Sequence, residues 1–265
     1  MKKVAILIAV FVFPFVAMSQ GKKFEYTPKV KNRVEIKNLI GEISIKNASG
    51  PVILIESDFD MERPERADGL QLLGSAEDNT DIGVSVTEEN GVVTISGVTK
   101  QVKDYEYTIS IRQGIAVSLD YSSPFVNGDL DIDSYEGSLE IKTLSANITL
   151  TNSTGPFTVN SVSGNVEVVF SKINQEEPTS LASVSGLIDV SVPSGDKATF
   201  EISNLMGNVY NNLDLENDSK EDEGDKRAKG LGAIKHNSGS SFTLNGGGQK
   251  VLLNTVTGNV YLREK

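Results

Sequence analysis

The sequence predicts an all-β fold, a single-domain parallel β-helix or β-solenoid, and three observations carry that expectation. First, four nine-residue units run without a gap from Leu130 to Asn165: "LDIDSYEGS", "LEIKTLSAN", "ITLTNSTGP" and "FTVNSVSGN". Second, apolar residues hold the first and third positions of each unit, which puts both on one face of a short strand. Third, each unit continues with Ser, Thr or Asn and, three positions later, Gly or Ala, residue types that suit a corner. One such strand cannot bury its apolar face, whereas stacked copies can. Two units make a coil of about 18 residues, and the spacings from Gly164 to Gly186 and from Gly186 to Gly207 extend that to about 22.

In chain order, "MKKVAILIAVFVFPFVAMSQ" comes first. Lys2 and Lys3 precede an apolar run from Val4 to Val16, and small residues follow around Ala17 and Ser19. Residues 1–19 are expected to be a secretory signal peptide, cut between Ser19 and Gln20. The apolar run is shorter than the roughly 20 residues a spanning helix needs, and no later segment could cross a bilayer. The β-solenoid domain is then residues 20–265.

The repeat frame opens in "VEIKNLIGE" and "ISIKNASGP" from Val34, recurs in "TSLASVSGL" from Thr179 and "FEISNLMGN" from Phe200, and closes in "VLLNTVTGN" from Val251. Residues 56–124 break the rhythm and form a decorated part of the domain. A short helix is expected from Pro64 to about Leu73. The strands "IGVSVTEE" and "GVVTISGV" follow, joined by Asn90-Gly91, which signals either a hairpin or a solenoid corner. "YEYTISIRQGIAVSLDY" then gives two more alternating strands. Residues 214–232, "DLENDSKEDEGDKRAKGLG", are charged and poor in apolar residues, and are expected to form a mobile acidic loop.

The run "DYEYTISIRQGIAVSLDY" leading into "GDLDIDSYEGSLEIKTLSANITLTNSTGPFTVNSVSGNVEV" resembles the bacterial putative-adhesin family of β-strand-repeat proteins. "RADGLQLLG" followed by "DNTDIGVSVTEENGVVTI" is similar to its Bacteroidetes-type members. The resemblance covers roughly residues 30–265. It implies an exported β-solenoid and carries no catalytic residues over.

Composition narrows the chemistry. Formal net charge is −11, and loss of Lys2 and Lys3 takes it to −13, which argues against nucleic acid and anionic lipid as partners. There is no cysteine, so disulfides and thiolate metal sites are closed. "DLDIDSYEGSLE", residues 129–140, has the acidic spacing of a calcium loop, but Ser134 stands where an EF-hand needs Gly. The repeat alone accounts for its alternation: with an 18-residue coil, Asp131, Thr149 and Glu167 share one outward column, and Glu140 and Thr158 another. His236 is the one histidine and lies in a polar stretch without a G-x-S-x-G elbow. No catalytic, metal or cofactor residues are therefore assigned.

Tyr210 in "MGNVY" and Tyr261 in "TGNVY" occupy matching outward repeat positions and are the candidate surface-binding residues. The expected function is a non-enzymatic, exported cell-envelope solenoid that offers a binding or adhesion surface, in the periplasm or at the surface of a Gram-negative bacterium. A glycan or protein of the envelope is the expected partner. The alternative is a polysaccharide-acting β-helix lyase or hydrolase, which would need carboxylates converging with Arg or Lys in an outer groove.

Overall fold

The computed structural model describes residues 21–29, 33–60, 66, 70, 77–98, 105–125, 128–217 and 240–265. The signal peptide, almost all of the expected short helix, His236 and the acidic loop beyond residue 217 lie outside the described residues.

Every regular element among the described residues that carries the fold is a strand. In chain order these are β1 (Lys22–Tyr26), β2 (Arg33–Lys37), β3 (Glu42–Ala48), β4 (Ile53–Ser57), β5 (Val84–Glu89), β6 (Val92–Gly97) and β7 (Glu106–Arg112). Next come β8 (Ala116–Tyr121), β9 (Leu130–Asp133), β10 (Glu136–Thr143), β11 (Ile148–Ser153), β12 (Gly155–Ser161), β13 (Val166–Phe170) and β14 (Thr179–Ser183). The chain closes with β15 (Ile188–Val192), β16 (Ala198–Asn204), β17 (Val209–Asn211), β18 (Leu215–Asn217), β19 (Ser240–Leu244), β20 (Lys250–Thr255) and β21 (Val260–Glu264).

They form two sheets, ordered β1-β4-β7-β3-β9-β11-β13-β15-β21-β17 and β18-β19-β16-β20-β14-β12-β10-β8-β2-β6-β5. Through the repeat region successive nine-residue units alternate between the sheets, so each coil has one strand in each and the solenoid has two walls and two corners. The first and third positions of each unit point inward. Ile141, Leu150, Val159 and Val168 are fully buried, while Glu140, Thr149, Thr158 and Glu167 face out. The 18-residue register holds in the middle of the stack, where Asp131 pairs with Thr149, Thr149 with Glu167, and Glu140 with Thr158.

The stack departs from sequence order at both ends. The coil β2–β3 lies between β6–β7 and β8–β9, so Ile43 sits beside Tyr107 on one side and Leu130 on the other. The last coil, β20–β21, lies between β14–β15 and β16–β17. Gly207 therefore stacks on Gly258 and not on Gly186, which corrects the reading of 21 residues between Gly186 and Gly207 as one coil. The spacing of 18 to 22 residues per coil describes the middle of the solenoid and fails where a coil is slotted in from a distant part of the chain.

One open alternative is resolved and one reading changes. Asn90 and Gly91, with φ of 52° and 80°, make a true antiparallel hairpin between β5 and β6 rather than a corner. The acidic loop expected from residue 214 begins later, because Leu215–Asn217 forms β18 and pairs antiparallel with β19. Leu215 drives that pairing: its side chain packs against the core. Within 56–124, β6 and β7 make an end coil and β8 pairs with β10, so this part of the chain contributes to the stack itself.

Corner chemistry explains the repeat signature. At the corner leading from the second sheet to the first, a buried hydroxyl accepts the N–H three residues on: Thr143 from Ala146, Ser161 from Gly164, Ser183 from Gly186 and Thr255 from Gly258, at 2.9–3.1 Å. Asn204 does the same for Gly207 at 2.7 Å. A side chain that satisfies a corner N–H replaces the water a turn would otherwise need.

Candidate functional site

Tyr210 on β17 and Tyr261 on β21 are direct neighbours across the parallel pairing of these strands. Their rings stack with centroids 5.2 Å apart and planes inclined by 12°. Parallel, in-register pairing places equivalent outward residues one strand spacing apart, which is why two aromatic residues at the same repeat position meet face to face. Tyr210 is half exposed, on the last strand of its sheet among the described residues.

Polar groups surround the pair. Asn259 donates from its side-chain amide to the Tyr261 hydroxyl at 3.2 Å. The Arg263 guanidinium lies 5.3 Å from the Tyr261 ring centre, within cation–π range, and its Nε donates to both carboxylate oxygens of Asp189 at 2.8 and 3.0 Å. Hydrogen bonding to Asp189 holds Arg263 more firmly protonated than usual. The same outward row continues through Glu167 to Thr149 and Asp131, so the tyrosines end a wall of acceptors. Glu167 and Asp189 are adjacent like charges, and Arg263 offsets that repulsion.

Sequence reasoning picked both tyrosines and missed Arg263 and Asp189. Arg263 is two residues beyond Tyr261 and so on the same face of β21, a signal that was available. Asp189 was not reachable, because only the displaced final coil brings β21 beside β15.

The other polar clusters differ. Glu140 receives Lys142 at 2.8 Å and Arg33 at 3.2 Å on the outer wall of the second sheet. The hydrogen bond from Lys142, with help from Arg33, lowers the proton affinity of its carboxyl below the usual range. At the corner leading from the first sheet to the second, an open groove of about 540 Å³ is lined by Glu136, Glu176 and Glu177 and floored by Gly114, Gly137 and Gly155. Among the described residues no Lys or Arg lines it. The carboxylates of "DLDIDSYEGSLE" are divided between walls: Asp131 is on β9 of the first sheet and Glu140 on β10 of the second, with the core between them. Asp129 accepts from Asn147, and Asp133 from Thr151, Ser134 and Asn152, which also lowers the Asp133 carboxyl. Millimolar calcium is accordingly expected to leave the melting temperature within about 1 °C of its metal-free value. A rise of many degrees that Asp131→Asn abolishes would show a site on this stretch.

The molecule is thus a two-walled β-solenoid with a stacked aromatic pair on one outer wall. It belongs to the Toastrack DUF4097 family, whose model matches residues 26–239. A putative cell adhesion protein from Clostridium sporogenes is similar in structure, at 12% identity and a TM-score of 0.46, over 93% of this chain and 100% of that one. A putative adhesin from Bacteroides fragilis aligns at 11% identity and a TM-score of 0.41, over 94% and 98%. A putative lipid binding protein from Parabacteroides distasonis aligns at 11% and 0.39, over 93% and 97%. No curated protein matches the sequence.

Proposed function

We propose that this chain is an exported, non-enzymatic solenoid of a Gram-negative cell envelope, and that the outer wall of its first sheet binds a surface glycan. The observation that carries this reading is the Tyr210–Tyr261 stack with Asn259, Arg263 and Asp189 around it. A flat aromatic face accepts the apolar face of a sugar ring, and the flanking amide, guanidinium and carboxylate can bond its hydroxyls. Rigid tyrosines add contact area at low entropic cost. Export is supported by the signal-like first 19 residues, and no helix among the described residues is long and apolar enough to cross a membrane.

A hydrolytic or lyase role finds less support. General acid catalysis on a sugar needs a carboxyl whose proton affinity is raised. Glu140 has its proton affinity lowered by Lys142 and Arg33. Glu42 has its own raised by burial and by Asp131, Glu106 and Asp129, and among the described groups that shift it there is no cation to pair with a developing charge. Among the described residues the groove has glutamates and no cation lining it. The experiment is recovery of fractionated envelope polysaccharide on immobilised protein. Tyr210→Ala combined with Tyr261→Ala is expected to cut recovery several-fold while the melting temperature moves by less than about 4 °C. Undiminished recovery would remove these tyrosines from the binding surface.

A further inference from the structure

The corner from the second sheet to the first carries an apolar ridge. Leu144, Val162, Val184, Val256 and Leu205 occupy the same corner position in five successive levels. Their stacking is fixed by backbone hydrogen bonds: Ser163 N–H to Leu144 O, Ser185 to Val162, Thr257 to Val184 and Met206 to Val256, at 2.8–3.1 Å. Val184 is 49% exposed and Met206, beside Leu205, 74%. Among the described residues nine large apolar side chains are exposed, and five of them are on this one corner. So many on one edge is not the scatter of single apolar residues that a soluble surface ordinarily shows.

The corner is also uncharged. Its five segments, "LSAN", "VSGN", "VSGL", "VTGN" and "LMGN", contain no ionisable side chain, in a chain of net charge −11. The walls that flank it bear carboxylates, among them Glu140, Glu167 and Asp189. Two copies of so acidic a molecule repel wherever their walls face, and this corner is where they can meet without opposing carboxylates. The rungs repeat at about 4.8 Å, the spacing of paired strands, so a second solenoid offers a ridge of matching period.

The geometry points to a second copy of this chain as the occupant: two solenoids meet corner to corner, antiparallel, about a two-fold axis at Val184. Val184 then meets its counterpart, Val162 meets Val256, and Leu144 meets Leu205. This is an isologous contact, self-complementary because Val184 is the middle rung of five. The ridge covers roughly 20 by 10 Å, or about 400 Å² over both copies, well below the roughly 1,000 Å² of a stable interface. The dimer is therefore weak and reversible, suited to copies held close together on a surface, where local concentration does much of the work. The inference stands on the corner alone and not on the glycan reading.

Sedimentation equilibrium of residues 20–265, which include every described residue, tests it. The average mass is expected to rise towards that of a dimer as concentration approaches about 1 mM, and to rise further with salt. Salt screens the acidic walls and leaves the apolar ridge unaffected, so the trend is opposite to that of an ion-paired contact. Val184→Glu and Val256→Glu are expected to stay monomeric with unchanged melting. Because the chain has no cysteine, Val184→Cys gives a second measurement: its oxidative dimer should form at least several-fold faster than that of Thr158→Cys on an exposed wall. A wild type monomeric at about 1 mM in high salt, association that survives Val184→Glu, or equal cross-linking rates would overturn the proposal. So would binding of the monomer to phosphatidylcholine vesicles that Val184→Glu abolishes, since the ridge would then be a membrane-facing edge.

Discussion

Leu150→Asp is expected to abolish cooperative folding of the solenoid. Leu150 is fully buried on β11, paired with Ile132 on one side and Val168 on the other. Losing the leucine from such a site costs about 2–5 kcal/mol. Burying an unpaired carboxylate there adds several more, because the neighbouring column offers only aliphatic side chains. A domain of this size has only about 5–15 kcal/mol in hand. Thermal unfolding followed by circular dichroism should show no native transition at room temperature. Glu140→Ala, ten residues before Leu150 and at an outward position, is the contrast. Its carboxylate is about a third exposed (35%), so the ion pairs with Lys142 and Arg33 are screened and their loss should cost under about 1 kcal/mol. The sign with pH follows from its lowered pKa. The native state binds this proton less readily than the unfolded chain, so the contribution is present above the unfolded carboxylate pKa and disappears as pH falls through the folded one. Wild type and Glu140→Ala should therefore differ slightly at neutral pH and converge in acid. Equal destabilisation by the two substitutions would mean that the inward and outward assignments are wrong.

The inward and outward columns were legible because a strand has a period of two and the repeat shows it in Leu130, Ile132, Leu139 and Ile141. The Ser/Thr-x-x-Gly corners were legible too, since those residue types already imply a turn. Two things were hidden for physical reasons. The nine-residue unit does not distinguish the two corners, yet the sixth position of the unit points inward at one and outward at the other: Tyr135 and Ser153 are buried, Val162 and Val184 exposed. The Tyr135 hydroxyl donates to the Ile115 carbonyl inside one corner, whereas the opposite corner turns on the buried Ser or Thr and lifts the next side chain into solvent. The stacking order was hidden as well. Every coil carries the same columns, so any coil can stack on any other, and the sequence has no term that forbids the last coil from sliding in ahead of its predecessor. The candidate site inherits that pattern. The tyrosines share a repeat position that the sequence displays, while Asp189 comes into reach only through the displaced coil.

Gly258→Ala is expected to strain the contact between the displaced coil and β14–β15. A Cβ at Gly258 would lie 1.9 Å from the carbonyl oxygen of Gly186 and 2.7 Å from its carbon, both backbone atoms that cannot swing aside. Both glycines are tied to their own corners, Gly186 by Ser183 and Gly258 by Thr255, each at 3.0 Å. The methyl group must therefore push β20–β21 away from β14–β15. Because β16–β17 rests on the far side of the same coil, its packing is disturbed along with it. Overpacking against fixed backbone belongs at or above the top of the usual 1–3 kcal/mol range, so a loss of about 3 kcal/mol and a fall of about 6–12 °C in melting temperature are expected. Gly195→Ala is the control, since its Cβ would meet nothing within 4 Å, and it should stay within about 0.5 kcal/mol of wild type. A methyl group on a corner glycine meets the backbone of the level before it, Gly186 against Gly164 and Gly258 against Gly186, so the place in the stack sets how much is disturbed. In a solenoid stacked in sequence order the coil of Gly258 would be the free end, its methyl group would meet Gly207, and no coil would lie beyond it. In the interleaved order Gly258 is sandwiched between Gly186 and Gly207, with the Cβ of Gly207 itself aimed at the Gly258 carbonyl at 1.9 Å. A melting temperature that fell by less than about 2 °C in Gly258→Ala would mean that these corners are not packed backbone against backbone.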